Sequence, residues 1–178
     1  MIDPATLRKL LLYNPHTGAL TWKRRTAELH PNDSSRKAFN SKFANGPAFF
    51  TYTGNGYLQG SVFNIIYKTH RVAWAIHYGE WPNVIDHINH VKSDNRISNL
   101  RSVTHSENLR NASMPSTNTS GHVGVSWIKN RSKWKAQIKV NQKQIYLGRF
   151  HDKDDAIKAR KAAEVKYGFH KNHGRDAT

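Results

Sequence analysis

The sequence predicts an α+β protein built from two small modules, and three observations lead to this fold class. A short apolar strand ending in Asp86-His87 leads through a polar loop to a second strand and a capped helix, which is a ββα pattern. Residues 112–121 are rich in turn formers and lack apolar periodicity, which is typical of a linker. Beyond them, apolar and polar residues alternate in three strands before an alanine-containing helix.

The first region, residues 1–56, is predicted to be an α/β extension of the ββα module. Asp3 is a suitable N-cap with Pro4 at the first helical position, so a helix is expected through Leu12. The other elements expected here are a strand at 19–23, a long loop over 26–48, and β structure over 51–67 with a hairpin turn at 54–56.

The central region, residues 57–112, contains the ββα pattern. A helix is expected over 70–78, because apolar residues recur there at helical spacing, and the Gly-Glu-Trp-Pro sequence that follows should end it. Strands are expected at 84–87 and 100–103. Thr104 and Glu107 have the spacing of a capping box, which predicts that a helix begins there with Asn108 in its first turn.

The third region, residues 121–170, is predicted to be a three-stranded antiparallel sheet with one packed helix. In the second strand Trp134, Ala136 and Ile138 alternate with lysines and a glutamine, so one face should be apolar and the other polar. Asp152 is placed to cap a helix over about 153–167. The full set of predicted boundaries is 1–56, 57–112, a linker at 113–120, 121–170 and a basic tail at 171–178.

The charge of the chain restricts its partners. The 178 residues carry a formal net charge of +16, from 28 Lys and Arg against 12 Asp and Glu. The excess lies in both halves, 14 basic to 7 acidic in residues 1–112 and 14 to 5 in 113–178. Such a surplus favours a polyanion. Nucleic acid is favoured over a membrane, because no apolar stretch approaches the roughly 20 residues of a membrane span and no signal peptide is recognisable.

The ββα region contains residue types suited to phosphodiester hydrolysis. Folding of the hairpin against the helix would bring Asp86, His87 and Asn108 together. An imidazole can deprotonate water near neutral pH. One carboxylate and one amide oxygen suit Mg²⁺, which keeps most of its waters. The chain has no cysteine, so Cys-ligated zinc and thiol catalysis are excluded. Asp-His pairs are common on surfaces, but an ordered set across 23 residues is far more specific.

These motifs resemble the HNH endonucleases, in particular the cysteine-free type found in phages and among homing endonucleases. The resemblance rests on Asp86-His87-Ile88-Asn89, on residues 94–101 and on Ser106-Glu107-Asn108, and extends upstream through 70–74 and 79–82. It implies that His87 is the general base, that Asn99 holds the loop by backbone hydrogen bonds, and that the metal ligands are Asp86 and Asn108. The cofactor it implies is Mg²⁺ or Mn²⁺, with no zinc site.

Three further histidines of this region need interpretation. His90 stands where the family usually has glycine, so the resemblance leaves the geometry of that turn open. His70 could support the site or be a packing histidine, and packing is favoured. We assign no catalytic role to His90 or His105.

The third region resembles an AP2 DNA-binding domain, mainly through Tyr146-Leu147-Gly148-Arg149-Phe150 and the alanine-containing helix that follows. The resemblance implies that the outer face of the sheet enters the major groove. The alternation of apolar and polar residues independently puts lysines and glutamines on that outer face. The lysines would set the affinity for DNA, and the glutamines could pair with the edges of adenine bases. The DNA contacts expected over the whole chain are Arg96, Arg101, Lys129, Arg131, Lys133, Lys135, Gln137, Lys139, Gln144, Tyr146 and Arg149.

The resulting hypothesis is a metal-dependent DNA endonuclease of the phage homing type. It would act on double-stranded DNA as a monomer or weak dimer, in the cytoplasm of a bacterial or phage-infected cell. The alternative is a DNA-binding regulator on an inactive HNH scaffold, which the full Asp86, His87 and Asn108 set disfavours. A structural role on RNA is compatible with the charge alone and explains none of the motifs.

Overall fold

Residues 1–111 and 114–175 are described by a computed structural model of the chain. Positions 112 and 113 of the expected linker, and 176–178 of the expected basic tail, lie outside the described residues. The chain divides into two compact units, Met1–Ser102 and Val103–Thr178. No helix in the described ranges is long and apolar enough to cross a bilayer.

The first unit contains short helices and strands in alternation, which confirms the α+β class. Its elements are α1 (Pro4–Leu10), β1 (Leu11–Tyr13), β2 (Leu20–Trp22), α2 (Asp33–Phe43), β3 (Pro47–Ala48), β4 (Thr51–Tyr52), β5 (Leu58–Val62), β6 (Ile65–Lys68), α3 (Thr69–Tyr78), β7 (Val84–His87) and β8 (Leu100–Val103), the last ending one residue into the second unit. The strands form three small sheets, in the orders β1-β2-β3, β4-β5-β6 and β7-β8.

Helices α1 and α3 supply six of the fourteen buried apolar residues in the core cluster of this unit. The Asp3 carboxylate accepts a hydrogen bond from the Thr6 N–H, which confirms the predicted cap, and Leu7 and Leu10 are fully buried. Helix α3 buries Val72 to Ala75, and Gly79 ends it in a left-handed conformation. Helix α1 ends at Leu10, earlier than expected, because Leu11 to Tyr13 pair with β2.

The expected loop over 26–48 was wrong, because α2 occupies its centre. The Asn32 side chain accepts a hydrogen bond from the Ser35 N–H, which caps the helix. Phe39 and Phe43, one turn apart, put their rings 5.2 Å from each other, and Phe39 contacts Trp22 at 5.5 Å. The helix has no fully buried residue, so its apolar stripe is too narrow to stand out in the sequence.

The second unit is a three-stranded antiparallel sheet with one long helix, as predicted. Its elements are α4 (His105–Arg110), β9 (Val125–Ile128), β10 (Lys133–Val140), β11 (Lys143–Phe150) and α5 (Lys153–Lys166), with the strands in the order β11-β10-β9. The core is small, with Val125, Ala136 and Ala156 buried between sheet and helix. Trp127 pairs across the sheet with Trp134, their rings 5.2 Å apart.

Two predicted features of this unit are present. Asn141 and Gln142 make the two-residue turn between β10 and β11, both with positive φ. Asp152 precedes α5 as its N-cap residue, although its side chain makes no cap hydrogen bond. The unit begins before α4, whereas the sequence predicts a boundary after it, at 113–120. The predicted domain boundaries and the AP2 likeness stay predictions.

Candidate active site

Strand β7 places Asp86 and His87 at its C-terminal end, where both side chains are buried. The chain then turns through residues 88–99 and returns as β8, so the two strands form the expected hairpin. The Ile88 N–H donates to the Asn99 carbonyl at 2.9 Å, and the His90 N–H donates to the His87 carbonyl at 3.0 Å. These bonds fold the loop tightly behind the Asp-His pair.

Asn99 bridges the two sides of this loop. Its Oδ1 accepts from the Asn89 N–H at 3.0 Å, and its Nδ2 donates to the Asp94 carbonyl at 2.9 Å. The side chain is buried, so these bonds replace those it would make to water. Asn99 therefore orders the loop.

His90 adopts the backbone conformation that glycine favours. Its φ is +67°, in the left-handed region that residues other than glycine adopt uncommonly, with Asn, Asp and His the most frequent among them. The backbone of this turn therefore has a conformation that glycine adopts readily.

The Asp86 carboxylate is paired with Arg101 from the neighbouring strand. The Nε and Nη2 groups of Arg101 both donate to Oδ2 of Asp86, at 2.9 and 2.6 Å. The Asp86 side chain is 8% exposed and that of Arg101 31%, so water screens the pair only in part. Arg101, expected to contact DNA, is held by the proposed metal ligand.

His87 is oriented by Asn95. The Nδ2 group of Asn95 donates to the Ser93 carbonyl, which turns Oδ1 toward Nε2 of His87 at 3.4 Å. In this arrangement Nε2 carries the proton, and Nδ1 is the nitrogen whose lone pair can accept one. Burial lowers the pKa of His87, partly offset by the Asn95 hydrogen bond and by Asp86. The imidazole is therefore neutral at neutral pH, as a general base must be.

Two more aromatic side chains enclose His87. The His70 ring lies edge-on to it at 5.0 Å between centroids, and the Tyr57 ring lies 5.8 Å away. Burial, followed by the nearby His87, lowers the pKa of His70 to about 3. Burial also raises the pKa of Tyr57, with a smaller contribution from Asp86. His70 packs against His87 while remaining uncharged, so it is a packing histidine that also contacts the candidate site.

Lysines lie beside the same aromatic group. The Nζ atoms of Lys92 and Lys68 are 5.3 and 5.8 Å from the Tyr57 ring centroid, and Lys92 also donates to the Asn55 carbonyl. Two ammonium groups beside Tyr57, whose ring contacts His87, make this side of the site electropositive. That charge suits a phosphate.

The N-terminal extension supports the loop that carries Asn95. The Tyr13 hydroxyl donates to the Asn95 carbonyl at 2.7 Å, and burial raises the pKa of Tyr13 to about 12. Gly18, with φ of +76°, touches the loop so closely that a Cβ atom would lie 2.6 Å from the Arg96 nitrogen. Residues 1–56 are therefore connected to the site through its backbone.

Asn108 lies in helix α4 of the second unit. Thr104 and Glu107 form the predicted capping box, in which each side chain accepts from the other's backbone N–H. Asn108 follows at the fourth helical position, and its N–H donates to the Thr104 carbonyl at 3.0 Å. Its meeting with Asp86 at a shared metal stays a prediction.

The other expected DNA contacts are distributed as follows. Arg96 pairs with Asp94 at 2.6 Å and holds the pKa of that carboxyl below its usual value. Lys129 and Arg131 are exposed in the turn before β10. The outer face of the β10-β11 sheet, opposite α5, carries Lys133, Lys135, Gln137, Lys139, Gln144, Tyr146 and Arg149. Across the two strands, Lys135 lies opposite Arg149, Gln137 opposite Tyr146, and Lys139 opposite Gln144.

The donors of the site suit a hard divalent cation. Asp86 offers a buried carboxylate, and no three His, Asp or Glu side chains gather as a metal site within residues 1–111 and 114–175. Mg²⁺ binds through one or two carboxylates, with water and phosphate completing its shell. The Asp86 carboxylate is therefore a ligand that a hard divalent cation could bind.

Sequence reasoning missed Asn95 and Tyr57 as parts of this site. Asn95 lies in the Asp94-Asn95-Arg96 motif. What distinguishes it from the other polar residues of this loop is its near-complete burial, which only the structure shows. Tyr57 lies 30 residues before His87, and no local pattern relates the two. Only the folded β4-β5-β6 sheet brings its ring to the site.

Comparison with known proteins agrees with this geometry. Residues 67–110, from the last strand before α3 to the end of α4, match the family model described as HNH endonuclease. A relative is Protein 3.8 of Escherichia phage T7, 34% identical over 79 residues, which is 43% of this chain. The match covers 65% of that relative, so the chain spans less than two thirds of its length. No solved structure matches the chain.

Proposed function

We propose that this protein is a metal-dependent DNA endonuclease of the HNH type. The observation that carries the proposal is the buried, neutral His87 beside the Asp86 carboxylate, within the segment that matches the HNH endonuclease model. The net charge of +16 makes DNA the natural substrate. The phage relative supports action in the cytoplasm of an infected bacterium, where a homing or related phage role is proposed.

In the proposed reaction, Nδ1 of His87 accepts a proton from a water molecule, and the resulting hydroxide attacks the phosphorus of a phosphodiester. The bond from phosphorus to the leaving ester oxygen then breaks. Asn95 holds the imidazole in the required tautomer, and Tyr57 with His70 shields it from bulk water. A single Mg²⁺ or Mn²⁺, held by Asp86 and Asn108, would neutralise charge on the phosphate and the leaving oxygen.

DNA targeting is proposed to come from the outer face of the second unit. Four lysine or arginine side chains there, Lys133, Lys135, Lys139 and Arg149, lie with Gln137 and Gln144 on one side of the sheet. Phosphate contacts by the cations would position the protein, and the glutamine amides would contribute sequence preference. This assigns an AP2-like role to residues 121–170, acting as a monomer or weak dimer.

One observation favours a second candidate, the DNA-binding regulator on an inactive scaffold. Arg101 occupies Oδ2 of the proposed metal ligand Asp86, as a permanently retired site could allow. In an active enzyme, Arg101 must instead share that carboxylate with the cation or move to the DNA. The two candidates differ in whether DNA is cut.

The deciding experiment incubates supercoiled plasmid with the full chain, with and without Mg²⁺. We expect nicked or linear product only with the cation, and none from His87→Ala, whose affinity for DNA should remain. His77→Ala, on the exposed side of α3, is the matched control and should cut normally. Cleavage by His87→Ala at the rate of the unaltered protein, or at full rate in EDTA, would contradict the proposal.

A further inference from the structure

A concave surface outside the candidate active site lies in the first unit, between α2 and the β4-β5-β6 sheet. Its cavity has a volume of about 460 Å³, within the range of small-molecule sites. We call it the aromatic cavity, because its lining includes Trp22, Phe39, Phe43, Phe49, Phe50 and Phe63. Phe50 is 64% exposed and Phe63 48%, so two phenyl rings face solvent together. Clustered exposed aromatic surface in a soluble protein marks a binding site.

Arg25 lies in this cavity without a carboxylate partner among the described residues. Its guanidinium carbon is 3.5 Å from the centroid of the Phe39 ring, and its Nη1 donates to His30 at 3.1 Å. The buried Nε has no hydrogen-bond acceptor in the described part of the chain. Arg25 is thus a cation of the cavity lining with no carboxylate paired to it within the described ranges, which favours an anionic ligand.

The position of Arg25 is built by its neighbours. The Asn40 side chain of α2 accepts from the Arg25 N–H at 2.8 Å and donates to its carbonyl at 3.0 Å. His30 accepts from Arg25 through Nδ1 and therefore carries its proton on Nε2, which contacts the Ser35 hydroxyl at 2.7 Å. The guanidinium is thus pre-oriented rather than a mobile surface cation.

The surroundings of the cavity are basic. The sequence contains no Asp or Glu from Ser34 through Gly79, a stretch that includes the cavity's sheet and most of α2. Lys42 lies 5.2 Å from the Phe43 ring at the edge of the cavity. Asp33, the acidic residue at the start of α2, is already paired with Arg36 and Lys37. The ligand should therefore be an anion with flat apolar surface.

We propose that the aromatic cavity binds one unpaired nucleotide of a DNA strand, with the base stacked on Phe50 and Phe63 and the phosphate held by Arg25. The proposal rests on the proposed function, since it takes DNA as the ligand. Bases of any sequence stack on aromatic side chains. A paired base in a duplex has both faces covered by its neighbours, so the cavity selects nucleotides that are looped out, frayed or single-stranded.

The test measures binding by the full chain in EDTA, so that no cleavage intervenes. The probes are a labelled single-stranded oligonucleotide, the matching duplex, and that duplex with one unpaired 2-aminopurine. Phe63→Ala and Arg25→Gln should each weaken binding to the single strand and the bulged duplex by about tenfold, the loss typical of one stacked base. Affinity of both variants for the fully paired duplex should change by less than about twofold. The change in 2-aminopurine fluorescence on binding should be smaller for these variants than for the unaltered protein.

The chain offers matched controls for both changes. Arg24→Gln removes the same charge from the adjacent exposed residue, and Ile66→Ala removes apolar surface from a residue that is 66% exposed and does not line the cavity. Both should bind all three probes as the unaltered protein does. Phe63→Ala removes a half-exposed side chain, so it carries the test even if Arg25→Gln fails to fold.

Three results would overturn the proposal. Unchanged binding of every probe by Phe63→Ala excludes the cavity, whatever the plasmid assay shows. Equal weakening on paired and unpaired probes makes the surface a general DNA contact. A dimer seen by sedimentation that Phe63→Ala dissociates, with oligonucleotide affinity unchanged, makes the patch a contact between two copies. If the expected selective loss occurs while no variant or parent cuts plasmid, the cavity stands and the nuclease assignment fails.

Discussion

At the scale of single residues, the site depends on keeping two adjacent imidazoles uncharged. His70 and His87 lie edge to face, and a proton on His70 would place a cation against the proposed base. Burial holds the pKa of His70 at about 3, so His70 remains neutral wherever the enzyme would work. The same burial makes folding sensitive to acid.

The first prediction follows from that pKa. His70 binds a proton near pH 6.5 when unfolded but only near pH 3 when folded, so the unfolded chain binds more protons between these values. The free energy of unfolding therefore falls as the pH is lowered through this window. Between pH 7 and pH 4, the free energy of unfolding of His70→Gln should fall by about 3 kcal/mol less than that of the unaltered protein. Urea unfolding at several pH values measures it.

The control for this prediction is His77→Gln, which removes an exposed histidine from the same helix. Its unfolding should keep the pH dependence of the unaltered protein. An identical fall in stability for His70→Gln and the parent would mean that His70 is accessible to protons in the folded state.

The second prediction concerns the ion pair between Asp86 and Arg101 at the proposed metal site. Arg101→Met leaves the Asp86 carboxylate buried without its cation, and should lower the free energy of unfolding by about 2 kcal/mol, given that Arg101 is partly screened. Mg²⁺ should restore part of this loss, because it binds the folded state at the vacated carboxylate. Thermal unfolding with and without Mg²⁺ measures both effects.

Arg96→Met is the matched control, since it breaks the neighbouring and more exposed pair with Asp94. Mg²⁺ should shift its melting temperature no more than that of the parent. If Mg²⁺ stabilises Arg101→Met no more than Arg96→Met, Asp86 is not a metal ligand.

At the scale of elements, local sequence patterns were sufficient to predict a helix or strand wherever it has a capping residue or a regular alternation of apolar and polar residues. The Asp3 cap, the Thr104 and Glu107 box and the alternation of β10 were all confirmed. Helix α2 was missed because its cap is followed by polar residues and its aromatics pack on only one side. The contacts of Tyr57 and His70 with His87 depend on tertiary packing, so no local pattern could predict them.

The third prediction concerns the turn at Gly18, which lies against the loop that carries Asn95. Gly18→Ala puts a Cβ atom 2.6 Å from backbone atoms of Asn95 and Arg96, at a φ that alanine disfavours. We expect a loss of about 3 kcal/mol in stability, and a lower cleavage rate because Asn95 must shift relative to His87. Urea unfolding and plasmid nicking measure these changes.

Gly54→Ala serves as its control, because a Cβ atom there meets nothing within 4 Å. Both stability and nicking should then remain close to those of the parent. Normal nicking by Gly18→Ala would show that the N-terminal turn does not position the loop.

At the scale of the whole molecule, positive charge is present in both units, while the chemistry is assigned to few residues. We therefore expect many basic residues to determine the affinity for DNA, and the few residues assigned to the chemistry to determine the cleavage rate. Counterion release from many phosphate contacts should dominate binding, so the logarithm of affinity should fall steeply with the logarithm of salt concentration.

The fourth prediction tests that separation on the outer face of the β10-β11 sheet. Lys135→Ala should weaken binding on all duplexes and reduce the salt slope by about one unit, since one phosphate contact is lost. Gln137→Ala should instead alter the preference among sequences. Lys158→Ala, on the exposed side of α5, should leave slope and preference unchanged. An unchanged slope for Lys135→Ala would place the DNA on another surface.

The tryptophan pair of the second unit also has an optical consequence. Two indoles held 5.2 Å apart at a fixed angle couple their electronic transitions, which produces a signed couplet in circular dichroism. The tryptophans of the first unit, Trp22, Trp74 and Trp81, contact phenylalanine or tyrosine rings instead. A couplet between two indoles therefore comes from the second unit. Without any added label, its loss on heating can be compared with loss of the helical signal to learn whether the two units melt together.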